Sequence, residues 1–201
     1  KLPLSISDVY SKNIAPNIGG GEKGIMYNST LIEMLQALDP ENLRRKFLLH
    51  GAYFRRSTIN LRLNRFSEAL ADLDSAIASA HDGEQKDLYH LKKPLIYELS
   101  GQRNLAIEAR TELIAKHPED PRNYRLRGHG LLTSNQPRKA LADFLKAIEL
   151  GADTGDDYAN VARTFNMLNE KENALKYIRH ALNIDPQNRL SLSTQAIILN
   201  S

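Results

Sequence analysis

The chain has 201 residues, of which 41% are hydrophobic and 25% charged, with a formal net charge of +3. This is a globular composition, enough for one large domain or two small ones, and it excludes a disordered or collagenous chain. The absence of cysteine excludes a disulfide framework and a thiolate zinc site. No run approaches the roughly 18 apolar residues of a membrane-spanning helix.

Residues 1–24 carry Pro3, Pro16 and the run Gly19, Gly20, Gly21, with no sustained apolar period, and read as an extended arm or linker. Residues 25–49 read as a helical lead-in. In it, Leu31, Ile32, Leu35 and Leu38 form one face of a short helix over 29–38. Asp39 and Pro40 are an N-cap and first-turn pair, and predict a helix over 40–63. Apolar period then predicts helices at 67–80, 86–99, 103–116, 122–133, 137–149, 156–168, 171–183 and 189–200, with no sheet.

Four residues punctuate this series: Asn64, Gly101, Asn135 and Asn169, at steps of 37, 34 and 34. Gly and Asn best tolerate the left-handed conformation that ends a helix, so each is expected at positive φ. Five residues beyond each lies a small residue of the next helix: Ala69, Ala106, Ala140 and Ala174. The recurrence divides the chain into four helical hairpins, 50–83, 87–120, 121–154 and 155–188, followed by a capping helix or half repeat at 189–201. The last two units superimpose best. Tyr124, Gly128 and Leu131 match Tyr158, Ala162 and Phe165, and Ala140, Phe144 and Ala147 match Ala174, Ile178 and Ala181. Gly128 and Ala162 are expected where two helices cross closely.

On these residues the chain resembles the tetratricopeptide repeat, a helix–turn–helix unit of 34 residues, over about 50–188. The resemblance implies an all-α solenoid, a right-handed superhelix of stacked hairpins, acting as a scaffold or adaptor. The first unit departs from the family pattern at Arg56 and Asn60, and the second at Lys93 and Pro94. Pro94 removes a backbone donor and is expected to kink or shorten its helix.

Chemical motifs are few. Asp153-Thr154-Gly155 has the tripeptide of aspartic proteases, but in an inter-repeat loop with no strands to build a dyad. Gly19–Gly24 lacks the Lys-Ser/Thr ending of a phosphate loop. The six histidines, His50, His81, His90, His117, His129 and His180, show no metal-ligand spacing. Asn28-Ser29-Thr30 is a glycosylation tripeptide that matters only in a secreted eukaryotic protein. No catalytic residue, metal, cofactor or small-molecule substrate is therefore expected, and the chain reads as a non-enzyme. The lack of cysteine leans towards a bacterial, exported or periplasmic setting and leaves the cytoplasm open.

The family's first helices line a concave groove. Carried over, the resemblance puts there Phe54, Arg55, Thr58 and Arg62 from the first unit, and Leu91, Lys92 and Leu95 from the second. The third supplies Arg122, Arg125, His129 and Leu132, and the fourth Asn160, Arg163, Asn166 and Met167. Against six cations the inner stripe holds Glu98 and Asp156. A wall of one sign attracts the opposite sign. The partner-binding residues expected are thus Arg55, Arg62, Lys92, Arg122, Arg125, His129, Asn160 and Arg163, and the partner is a protein or peptide with an acidic or extended segment. Arg125, His129 and Asn160 also resemble three places of the chaperone-tail clamp, but Leu190 and Thr194 stand where its last two basic residues belong. A second basic cluster, Arg44, Arg45, Lys46, Arg55, Arg56, Arg62 and Arg65, offers an alternative, a nucleic-acid or anionic-surface binder. No aromatic spacing supports nucleic acid. A third reading is an accessory repeat domain of a larger envelope or enzyme assembly.

Overall fold

A computed structural model describes residues 5, 6, 21–81 and 83–201. Every regular element among them is a helix, in an all-α arrangement of packed hairpins. The chain forms two compact units, Lys1–Gln102 and Arg103–Ser201. The division falls inside the hairpin expected at 87–120.

The first unit contains α1 (Glu22–Gln36), α2 (Leu43–Arg62), α3 (Phe66–Ser79), α4 (Gly83–His90) and α5 (Lys93–Leu99). Most of the arm expected at 1–24 lies outside the described residues, and its last three residues, 22–24, belong to α1. That helix begins seven residues before the expected start because Gly24 and Asn28 extend the buried stripe of Leu31 and Leu35. Neither is apolar, so period alone does not reveal them. Asn28 is 2% exposed and its amide donates to the Gly24 carbonyl at 2.9 Å, which closes the glycosylation reading. Helix α2 starts three residues later than Pro40. Its N-cap is Asn42, which accepts from the Arg44 amide, while Asp39 builds a turn just before it.

Arg56 and Asn60 both reach Asp72 on α3. Arg56 meets it at 2.6 Å and Asn60 at 3.0 Å, and Arg56 also donates to Ser29 on α1. The departures from an apolar pattern are thus one buried polar network. Pro94 sits in the first turn of α5, and the helix expected over 86–99 breaks into α4 and α5 around Leu91 and Lys92. Lys93 escapes burial by pairing with Asp74 at 2.5 Å. The core consists of Leu31, Ile32, Leu35, Leu49 and Ala52, then Ala69, Leu73, Ala76, Tyr89 and Ile96.

The second unit contains α6 (Arg103–Lys116), α7 (Pro121–Thr133), α8 (Pro137–Glu149), α9 (Gly155–Met167), α10 (Lys171–Ile184) and α11 (Arg189–Asn200). Its helices coincide with the expected segments to within a residue at each end. Asp120 caps α7 ahead of Pro121, and Asn188 caps α11. The core runs through Leu131, Phe144, Val161, Phe165, Ile178 and Ile198, spaced by fully buried Ala140, Ala162, Ala174 and Ala181. Gly128 packs on Phe144 so closely that an added Cβ would stand 2.8 Å from its ring.

The four stops have φ of 58°, 76°, 55° and 62° at Asn64, Gly101, Asn135 and Asn169. In each case the next residue donates its amide to the carbonyl five positions back, as Gln136 does to Leu131, which satisfies an otherwise orphaned helix-end carbonyl. Gly151, at φ 96°, ends α8 in the same way.

Candidate functional site

Helices α7 and α9 position four of the expected residues together. Arg125 lies one turn into α7, and its Nη1 is 3.3 Å from Asp157 Oδ1. Asp157 is 3% exposed, because it also closes the capping box of α9 with Thr154. That cap explains Asp153-Thr154-Gly155: the triplet is a helix start, with Thr154 as the N-cap of α9.

His129 follows Arg125 by one turn. Its ring meets Phe144 edge-on at 5.2 Å, and its Nε2 is 3.5 Å from Asn160 Nδ2. Asn160 is 2% exposed, and its Oδ1 is buried without a partner. One turn further on α9, Arg163 has a buried Nε with no hydrogen bond. Among the described residues Arg163 has no carboxylate partner. Burial, then the charges of Arg163 and Arg125, hold His129 below the usual histidine range, with Asp157 and Asp156 opposing. The face thus combines two guanidinium groups, an imidazole kept neutral and an unsatisfied amide. It can offer several donors to an anion, and Arg125 already shows the pairing with Asp157.

Arg122 is exposed and folds back on Asp120, its own helix's cap, through a two-point contact. Its guanidinium is committed locally, apart from the Arg125 group.

In the first unit Arg55 is half-buried near Tyr89, whose phenol is pushed up by burial and drawn down by the Arg55 charge. Tyr89 stacks on Phe54 at 4.7 Å and bonds His50 Nδ1 at 2.6 Å. Arg62 and Lys92 are exposed at the end of α2 and the start of α5. Sequence reading did not place Tyr89 or Asp157 at a site, and did not pair His50 with Tyr89. Their signal is tertiary burial, which periodicity carries for apolar residues only.

Three of the seven cations of the second basic cluster meet a carboxylate, and a fourth donates to a backbone carbonyl. Arg56 is held by Asp72, Arg65 by Glu22 and Lys46 by Glu41, while Arg45 donates to the Leu38 carbonyl at 2.8 Å. Four of its seven cations thus have partners within the first unit.

A tetratricopeptide-repeat family model matches residues 158–188. Among solved structures, the chain is similar to YrrB, a tetratricopeptide-repeat protein with an unusual peptide-binding site. The TM-score is 0.70 at 16% identity, covering 94% of this chain and 90% of that one. It is also similar to MamA from Desulfovibrio magneticus RS-1, with a TM-score of 0.64 at 14% identity, covering 83% and 86%. Over 89 residues, 44% of its length, the chain is 35% identical to the human protein O-mannosyl-transferase TMTC3, and the match spans 10% of that relative.

Proposed function

From the premise that the chain carries a tetratricopeptide repeat and has the fold of proteins built from it, we propose that it is a non-catalytic binding scaffold. It holds an acidic or extended peptide segment of a partner protein on the face formed by α7 and α9. The observation that carries this reading is the grouping of Arg125, His129 and Arg163 around buried Asn160, with polar atoms of Asn160 and Arg163 left unsatisfied. Unsatisfied buried polar groups are costly and rare; a ligand carboxylate can accept from Arg163 Nε, while Asn160 Oδ1 is an acceptor that only a donor, such as a peptide N–H, satisfies. Arginine's planar fork suits carboxylates, and the Arg125–Asp157 contact is an internal example. The peptide-binding site of YrrB supports a peptide as the ligand. In the first unit, taken by itself, Arg55, Arg62 and Lys92 are candidate partner contacts.

The test is fluorescence anisotropy with a labelled hexaglutamate peptide carrying a free carboxyl terminus, against a hexaglutamine control. Binding of the acidic probe that weakens about tenfold or more in Arg125→Ala plus Arg163→Ala supports the reading, since a desolvated arginine contact is worth a few kcal/mol. Equal binding of both probes, or a folded double variant with unchanged affinity, overturns it.

A second reading, a repeat module within a larger enzyme assembly, draws on the likeness to a short part of a mannosyl-transferase. Co-purification of the native protein with a transferase activity would favour it.

A further inference from the structure

We infer that capture of a carboxylate on the α7–α9 face is coupled to uptake of one proton by His129, with the Asn160 amide turning over to accept it. The inference rests on the binding face proposed above and adds how that face is regulated.

The geometry is specific. Asn160 presents Nδ2 to His129 Nε2 at 3.5 Å, and its Oδ1 is buried with no partner. An N–H can approach Nε2 in a hydrogen bond only while that nitrogen keeps its lone pair, so this arrangement of the amide matches the neutral, Nδ1–H form of the ring. Protonation puts a hydrogen on Nε2, and an NH₂ group facing it becomes repulsive. Rotation of the amide by half a turn brings Oδ1 to accept that hydrogen. The rotation gives the orphaned oxygen a partner, so the amide has two arrangements, each matched to one state of the ring.

The surrounding charges decide which state prevails. Arg125 on its own helix and Arg163 on α9 oppose a third positive charge. Asp156 and Asp157 at the start of α9 favour it, and Phe144 on α8 contributes only burial. Asp157 already engages Arg125 and the α9 cap, and Asp156 accepts from Asn188, so neither is free to compensate fully. A ligand carboxylate set between Arg125 and Arg163 supplies the missing negative charge. By linkage, an anion that favours the protonated ring binds more tightly when the ring is protonated, by the same factor.

The experiment has two arms on the full chain. In the first, the carbon-bound ring proton of His129 and the side-chain amide of Asn160 are followed by NMR from pH 8 to 5, with and without the hexaglutamate probe. The expected result is that both report the same midpoint, and that the probe raises it. An Asn160 amide that does not move through the His129 midpoint overturns the coupling. In the second arm, probe affinity is measured at pH 8 and 5.5 in wild type and His129→Gln. Wild type should bind more tightly at pH 5.5 than at pH 8, up to a limit of about tenfold for each unit by which the probe raises the midpoint, reached once the pH lies below both midpoints. The variant keeps any effect of the probe's own titration and of the other histidines, so wild type should gain affinity on acidification relative to the variant. An equal pH response in the two proteins overturns the coupling and leaves the binding face standing. No binding at either pH overturns both. The wild-type NMR arm decides the amide rotation even where the variant fails to fold.

Discussion

Arg127 and Asp143 meet at 2.7 Å between α7 and α8, and Arg56 and Asp72 meet at 2.6 Å between α2 and α3, each member displaced by 71 residues from its counterpart (127 − 56 and 143 − 72). The likeness extends outward. Each guanidinium lies over a tyrosine three residues earlier, Tyr124 or Tyr53, and each donates to a hydroxyl on the preceding helix, Thr111 or Ser29. Asp72 and Asp143 are 5% exposed. A carboxylate so enclosed needs its partner, and the pair fixes which face of one helix meets the next.

Removing one member should therefore cost more than removing both. Arg127→Met leaves Asp143 as an unpaired buried charge and is expected to destabilise by about 3 kcal/mol or more, whereas Arg127→Met with Asp143→Leu should recover most of the loss. Urea denaturation of the four-member cycle checks it. A double variant no better than Arg127→Met would show that the pair contributes mainly through packing.

Gly128 tests the crossing of α7 and α8. An added Cβ would lie 2.8 Å from Phe144 Cε1, and Phe144 is 2% exposed, so its ring has no open space to retreat into. Gly128→Leu should cost about 1–3 kcal/mol or more by overpacking. Gly128→Ala should already lower the melting temperature, and adding Phe144→Leu should restore part of it. Melting temperatures of the three variants indistinguishable from wild type would contradict the close contact.

Gly101 separates backbone strain from packing. Its φ is +76°, and nothing lies within 4 Å of an added Cβ. Any loss on substitution is then conformational. Gly101→Val should cost about 1–2 kcal/mol, while Gly101→Asn should be close to neutral, because asparagine tolerates the left-handed region. The chain itself uses asparagine at the three other stops, Asn64, Asn135 and Asn169. Equal thermal stability of the valine and asparagine variants would contradict this account.

The legible parts of the fold are those decided within one helix and its turn. Asn64, Gly101, Asn135 and Asn169 each specify a helix end by their own φ preference, and the apolar stripes of α8, α9 and α10 follow a single period. Gly151 carried the same local signal. Burial of polar residues breaks legibility, because a partner on another helix decides it. Asn28 and Gly24 extend α1 invisibly. Arg56 looks like a surface residue until Asp72 is placed beside it. At the candidate site, the sequence offers Arg125, His129, Asn160 and Arg163 as a list of groove positions. That Asn160 is enclosed, that Phe144 backs His129 and that Asp157 is shared between a cap and an ion pair all depend on how α7, α8 and α9 pack.

The sign of a pH effect follows from His129. Burial and the charges of Arg163 and Arg125 hold its proton affinity below the ordinary value of 6.5 in the folded protein. Below about pH 6.5 the unfolded chain therefore binds more protons at this residue than the folded one, and stability rises with pH in that window. The contribution is complete above pH 6.5. It is lost progressively as pH falls through 6.5 towards the depressed folded value, and it levels off beneath that value. The other histidines titrate in the same range, so the comparison with a variant isolates this one. In urea denaturation at pH 7.5 and 5.5, wild type should lose more stability on acidification than His129→Gln, in which a neutral side chain replaces the ring. Acid losses of equal size in the two proteins would mean that the imidazole charges as freely in the folded state as in the unfolded one, and the enclosure by Phe144, Arg125 and Arg163 would then be looser than the structure describes.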